Sequence, residues 1–267
     1  MPGEPDPLYV RARAALLDAT DALAAQIDAL VLVGAQAIYL HTGDAHLAVA
    51  EYTTDADFTI GPAELHDSPL LAELLTARGF TTREHPGGWL SPDGIYVDLM
   101  VPEALAGAGT RGARLGVHGK RVARRAKGLE ASLVDHAPMS ITALDSTDPR
   151  SVTMQVAGTG ALLIAKVHKI HERTAAGDRV RDKDALDVLR ILQAIETSFL
   201  SQRLDHLRAH ELSAAVTDEG IAQLAPLFGR IDAVGVEMAI RAAGVGADPD
   251  TIAASMTALV SDLLAEL

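Results

Sequence analysis

The chain has 267 residues, a formal net charge of −13, 48% hydrophobic and only 3% aromatic residues, and no cysteine. That length can bury a full core in one large or two smaller domains, built from Ala, Leu, Val and Ile in many packed helices. The acid excess argues against a protein that coats nucleic acid by charge alone, and the missing thiols exclude disulfides, thiol catalysis and thiolate metal sites. No run of eighteen apolar residues reads as a membrane span, and "MPGEPDPLYVRAR" has Pro and acid where a signal peptide carries positive charge, so a cytoplasmic location without membrane partners is expected.

In chain order, residues 8–28 read as an amphipathic helix with Leu16, Leu23 and Ile27 on one side. "ALVLVG" (29–34) reads as a buried strand closed by Gly34, and "AQAIYLHTG" as a helix stopping at Gly43. "EYTTDADFTI" (51–60) follows as a strand, and "PAELHDSPLLAELLTARG" (62–79) as a helix interrupted by Pro. "FTTREH" and "GIYVDLMV" read as two strands of a hairpin around the turn-rich "PGGWLSPDG". "MSITAL" and "SVTMQVA" read as short strands. Beyond Gly158 the pattern is helical, with helices expected at 158–174, 181–195, 198–210, 218–228 and 250–267. The expected architecture is an α/β lobe with a mixed sheet over residues 1–150 and an all-helical lobe over 151–267.

Alternate side chains of a strand share a face, so Asp55 and Asp57 point together, and like charges that close are costly unless a cation lies between them. Asp98, inside "IYVDLMV", is a third acid in an apolar strand. Three acids on neighbouring strands without cysteine describe a hard-cation site of the Mg²⁺ type, whose open positions substrate phosphates would fill; a two-ion site is open. The competing reading has Asp55 in a turn, Asp57 facing solvent and Asp98 paired with an Arg. Upstream, "VLVGAQA" offers a Gly turn and a helix start where backbone N–H groups of Gly34 and Ala35 could meet phosphate oxygens.

Lys166, Lys169 and Arg173 fall at i, i+3 and i+7, hence on one helix face able to grip a triphosphate, or to form a basic solvent stripe. Asp184 and Asp187, one turn apart, could orient Lys166 or Arg173, or pair locally with Arg179, Arg181 and Lys183. His168 and His171 read as structural or solvent-exposed. From Arg111 to Lys127 the segment "RGARLGVHGKRVARRAK" carries seven cations and no acid, among them Arg114, Lys120, Arg121, Arg124, Arg125 and Lys127. It reads as a local cationic patch or a solvated surface.

The combination of strand, Gly turn, helix and Asp-x-Asp resembles the nucleotidyltransferase superfamily, and within it the AbiEii/MenT group of bacterial toxins. The matching residues are Gly34, Ala37, Thr53, Asp55, Asp57, Asp98, Lys166 in "LLIAKVHKIHER", and Asp184 and Asp187 in "RDKDALDVLRIL", spanning about residues 29–192. Ala35 stands where that group carries a second Gly or Ser, and Glu51 where it carries Arg. The resemblance implies transfer of a nucleoside monophosphate from an NTP to an acceptor hydroxyl, with Asp55, Asp57 and Asp98 holding Mg²⁺. Lys166 and Asp187 would then be catalytic, while Gly34, Ala35, Lys166, Lys169, Arg173 and Asp184 would bind the nucleotide. It also implies a toxin of a toxin–antitoxin pair, with the tRNA 3′ end or another RNA as acceptor and a cognate antitoxin as partner, and the basic stretch 111–127 would then track RNA phosphates. A small-molecule acceptor, as for aminoglycoside-modifying relatives, and a non-catalytic binding module remain open.

Overall fold

The computed structural model describes residues 5–43, 53–175 and 182–267; Glu51, Arg179 and Arg181 lie outside them. The chain opens with α1 (Pro7–Ala22), whose Pro sits at the first helical position while the Asp6 carboxylate accepts from the Leu8 N–H. A 3₁₀ turn (Ala24–Ala29) leads into β1 (Leu30–Val33), then α2 (Gly34–Thr42), β2 (Asp55–Ile60) and α3 (Leu71–Ala77). Next come β3 (Thr81–Thr82), β4 (Gly88–Leu90), β5 (Tyr96–Pro102), β6 (Arg124–Ala126), β7 (His136–Thr142) and β8 (Ser151–Ala157). The remainder is helical: α4 (Thr159–Ala175), α5 (Lys183–Ala194), α6 (Thr197–Arg208), α7 (Ala214–Phe228), α8 (Val234–Ala243) and α9 (Pro249–Glu266). Among the described residues no helix is long and apolar enough to cross a membrane.

The fold is α/β with a mixed eight-stranded sheet in the order β3-β4-β5-β2-β1-β8-β7, and β6 continues the edge of β5 beyond β4. β1 and β2 run antiparallel, whereas β1–β8, β2–β5 and β5–β6 are parallel. All four residues of β1 are buried, which is why "LVLV" is continuously apolar rather than alternating. α1 packs across β2 and β5 on the sheet, and α2 contacts β1, β2, α4 and α5. One continuous core joins Leu32, Phe58 and Val156 of the sheet to Leu163, Val188, Phe228 and Met256 of the helices. The sheet's last strand, β8, lies beyond residue 150 and hands the chain directly to α4.

Three expectations about elements need correction. The helix expected over 62–79 is confined to Leu71–Ala77. The preceding segment is held irregular by the buried Gln26, whose amide donates to the carbonyls of His66 and Pro69 and accepts from the His66 N–H, and by His118, which bonds the Leu71 N–H. The hairpin expected between "FTTREH" and "GIYVDLMV" instead joins β4 to β5 across Ser91–Gly94, closed by Ser91 Oγ accepting from the Ile95 N–H. β4 sits inside the stretch that reads as turn because Trp89 is buried, with its indole N–H on the Val122 carbonyl at 3.1 Å. Finally, α8 fills a span for which no helix was expected; Val236, Met238 and Ala239 bury its inner face.

Truncating Leu32, fully buried in the central strand, should destabilise the fold by about 2–5 kcal/mol through lost transfer energy and an unfilled cavity. Urea unfolding of Leu32→Ala, expected to show a lower midpoint at unchanged slope, checks this.

Candidate functional site

The register of three strands builds the site. Val33 faces Asp57 across β1–β2, and Asp57 faces Asp98 across β2–β5. Gly34, following Val33, adopts φ +75°, and a Cβ there would overlap the Asp57 carboxylate. Only glycine allows both this backbone and this approach. α2 starts at that glycine without a side-chain cap, so its first N–H groups are not taken by a capping side chain.

Asp57 is crowded by its own kind. Burial first, then Asp55 and Asp98, push its carboxyl up to about 7, with Lys169 and Arg124 acting the other way. Asp55 behaves oppositely: burial raises it, yet Lys183, the hydroxyl of Thr53 at 2.7 Å and Lys169 together bring it below the usual carboxylate range. Lys183 Nζ stands 4.0 Å from Asp55 Oδ1. Asp98 meets the Arg124 guanidinium at 3.3 Å, so the arginine pairing weighed for this acid is present. Among the described residues no three His, Asp or Glu side chains are already gathered around one ion position. The donors are nonetheless hard carboxylate oxygens, and the repulsion centred on Asp57 is the kind a cation relieves. Asp55 and Asp57 fit such an ion as a pair, and Asp98 could join by releasing Arg124.

On α4, Lys166, Lys169 and Arg173 do share a face. All three reach Asp184, at 2.7, 3.2 and 3.0 Å, and Lys166 also bonds Asp187 at 2.6 Å. Burial alone would favour neutral forms, but the paired charges outweigh it: Lys166 is held above the usual lysine range and Asp184 well below the usual carboxylate range. Lys169 is instead lowered by burial and by Lys166, with Asp184 and Asp57 only partly restoring it. Asp184 and Asp187 thus orient Lys166, as one of the two sequence readings expected. His168 is structural: it is buried with Nε2 on the Val216 carbonyl.

Asp57 and the α4 cations line a cavity of about 340 Å³, whereas Asp55, Asp98, Asp184, Asp187 and Lys183 are not among its lining residues. Gly34 and Asp57 form its sheet side, Lys166, Lys169 and Arg173 one wall, and Arg124, Arg125 and Lys127 the other. The basic segment therefore divides. Arg124, Arg125 and Lys127 are half-buried in the cavity wall, with ion pairs from Arg125 to Glu103 and from Lys127 to Glu219. Arg114, Lys120 and Arg121 are exposed and do not line it. Ala35 is buried beside Gly34 and is not part of the lining either.

Sequence reasoning missed three contributors. Lys183 was seen only as a local partner of the α5 acids. Gln36, fully buried, donates to the carbonyls of Ala12 and Asp55 and so tethers the start of β2 to α1; Arg13 donates to its side-chain oxygen at 2.9 Å. A Gln and an Arg at apolar positions of two helices were the available signal, because neither is buried without a polar task. No family model matches this chain, and no curated protein matches it.

An acid whose folded pKa exceeds its unfolded value, 3.8 here, takes up a proton on folding, so its ionisation weakens the fold as pH rises. Asp57→Asn should therefore gain stability over the parent progressively from about pH 4, levelling off above about pH 7. The plateau should be on the order of 2 kcal/mol, reduced because the carboxylate borders an open cavity. Unfolding midpoints across that pH range test it, and a pH-independent difference would remove Asp57 from this role.

Proposed function

We propose that this protein is a metal-dependent nucleotidyltransferase, moving a nucleoside monophosphate from an NTP to an acceptor hydroxyl. The observation that carries the reading is the cavity itself. A carboxylate crowded by like charge lies beside a glycine-led helix start, in a cavity that cations line on two sides. The resemblance to AbiEii/MenT toxins extends it to an RNA acceptor, the tRNA 3′ end, within a toxin–antitoxin pair, and that extension rests on the matching residues alone.

Asp55 and Asp57, with Asp98, would hold Mg²⁺, which when bound supplies charge neutralisation for the phosphates and the leaving group. The chain's own residues do the rest. N–H groups at the start of α2 receive non-bridging phosphate oxygens. Lys169 and Arg173, turning from Asp184, and Arg124, Arg125 and Lys127 opposite, neutralise the triphosphate. Lys166 stays locked between Asp184 and Asp187 and so fixes α4 against α5 behind the phosphate-facing cations. The acceptor hydroxyl oxygen bonds to the α-phosphorus, the bond from that phosphorus to the bridging oxygen breaks, and pyrophosphate leaves with the electron pair. The hydroxyl proton passes to the Asp98 carboxylate and then to solvent.

Incubation with α-labelled NTPs, Mg²⁺ and total RNA should label RNA. Label on small polyamines or aminosugars instead would assign a small acceptor, and no label on anything would leave a binding module. Asp57→Asn should lower transfer at least a hundredfold while the protein stays folded; full activity would sink the proposal. Arg173→Met should raise KM for the NTP about tenfold with a smaller change in kcat, because it removes a phosphate contact made before the chemical step.

A further inference from the structure

Alternate residues of β5 lay out the site along one line. Met100 borders the cavity, Asp98 faces Asp57, and Tyr96, two residues further back on the same face, faces Asp55. Each step of two residues spans about 6.6 Å, so Tyr96 stands just outside the acids on the side away from the cavity. It is 41% exposed, in a chain with only four tyrosines and one tryptophan. The Arg83 guanidinium lies over its ring at 3.9 Å. Gly88, which faces Asp98 from β4, leaves room beside Arg83: a Cβ there would come within 3.2 Å of Arg83 Cδ and 3.3 Å of its Cβ, a tight contact that would shift the arginine by a few tenths of an ångström. Arg121 donates to the carbonyl of Glu84, next to Arg83, and Arg11 to that of Asp93 in the turn before β5. Arg83 on the loop before β4 is thus joined by two guanidinium groups that reach these loops from elsewhere, Arg121 from the segment before β6 and Arg11 from α1, beside Glu84 and Asp93.

We infer that Tyr96 and Arg83 form the acceptor subsite: a platform on which the unpaired terminal nucleobase of an RNA stacks, so that its ribose hydroxyl reaches the acids while the NTP fills the cavity. This rests on the nucleotidyltransferase reading and deepens it. An exposed ring capped by a guanidinium offers a π-face that any base can use, and nearby arginines supply phosphate contacts.

The test is binding without turnover. Anisotropy of a fluorescein-labelled single-stranded RNA, titrated with full-length protein in the absence of NTP, should show tighter binding than for a blunt duplex of the same sequence. Tyr96→Ala should weaken binding of the single strand about fivefold or more, and Tyr96→Phe should stay within about twofold of the parent. Arg83→Gln should weaken it less, and the Tyr96→Ala deficit should persist at raised salt, where phosphate contacts fade. Unchanged affinity in Tyr96→Ala, equal loss in Tyr96→Phe, or no RNA binding by the parent would each overturn the subsite. NTP binding, measured separately by calorimetry, should be the same in the parent and Tyr96→Ala; its absence in the parent would instead sink the nucleotidyltransferase reading itself.

Discussion

Everything at the site depends on one register, in which Val33, Asp57 and Asp98 stand side by side across β1, β2 and β5. A slip of one residue in either pairing would turn the acids to the opposite face of the sheet and bring apolar residues into the cavity. The register is held by burial, since Leu32, Phe58, Val97 and Leu99 are all fully buried and tolerate no other alignment. Gly34 then lets the chain turn into α2 immediately beside the Asp57 carboxylate, a position any larger residue would occupy itself.

The second constraint is charge compensation. In a chain carrying −13 overall, several buried or half-buried acids of the site each hold a cation. Asp184 alone receives Lys166, Lys169 and Arg173, while Asp98 receives Arg124 and Asp55 stands near Lys183. Asp57 is the exception: Lys169 and Arg124 only partly offset its burial and like-charged neighbours, and it is pushed up toward neutrality where Asp55 and Asp184 are held down. The arrangement separates a buried centre, where Lys166 has two short bonds, from the more exposed Lys169 and Arg173, which reach the same Asp184 from the cavity side.

Much of this was legible in the residues. The spacing of Asp55 and Asp57 placed them on one face; the helical spacing of Lys166, Lys169 and Arg173 did the same; the apolar run before Gly34 marked a buried strand and a turn. β7, β8 and most of the C-terminal helices followed from periodicity, because a half-buried strand and an amphipathic helix each write their period into the sequence. Where local pattern and tertiary contact disagreed, contact won. Glu64 and Leu65 look helical, yet Gln26 takes the backbone groups of His66 and Pro69. Trp89 sits among turn residues, yet its burial makes Gly88–Leu90 a strand. The basic segment is one run of cations in the sequence; pairing of β6 with β5 splits it into a cavity wall and an outer loop.

By itself, then, the sequence determined the α/β character, the buried central strand, the shared faces of the paired acids and of the α4 cations, and the exclusion of thiol chemistry, since all of these depend on composition or on spacing within one element. Only the tertiary structure decided which cation serves which acid, that Asp57 is the crowded carboxylate, that Gln36 and Arg13 brace the start of β2, and that Tyr96 and Arg83 lie in line with the acids. Those relations join residues far apart in the chain, and strand register and helix packing, which no local period encodes, bring them together.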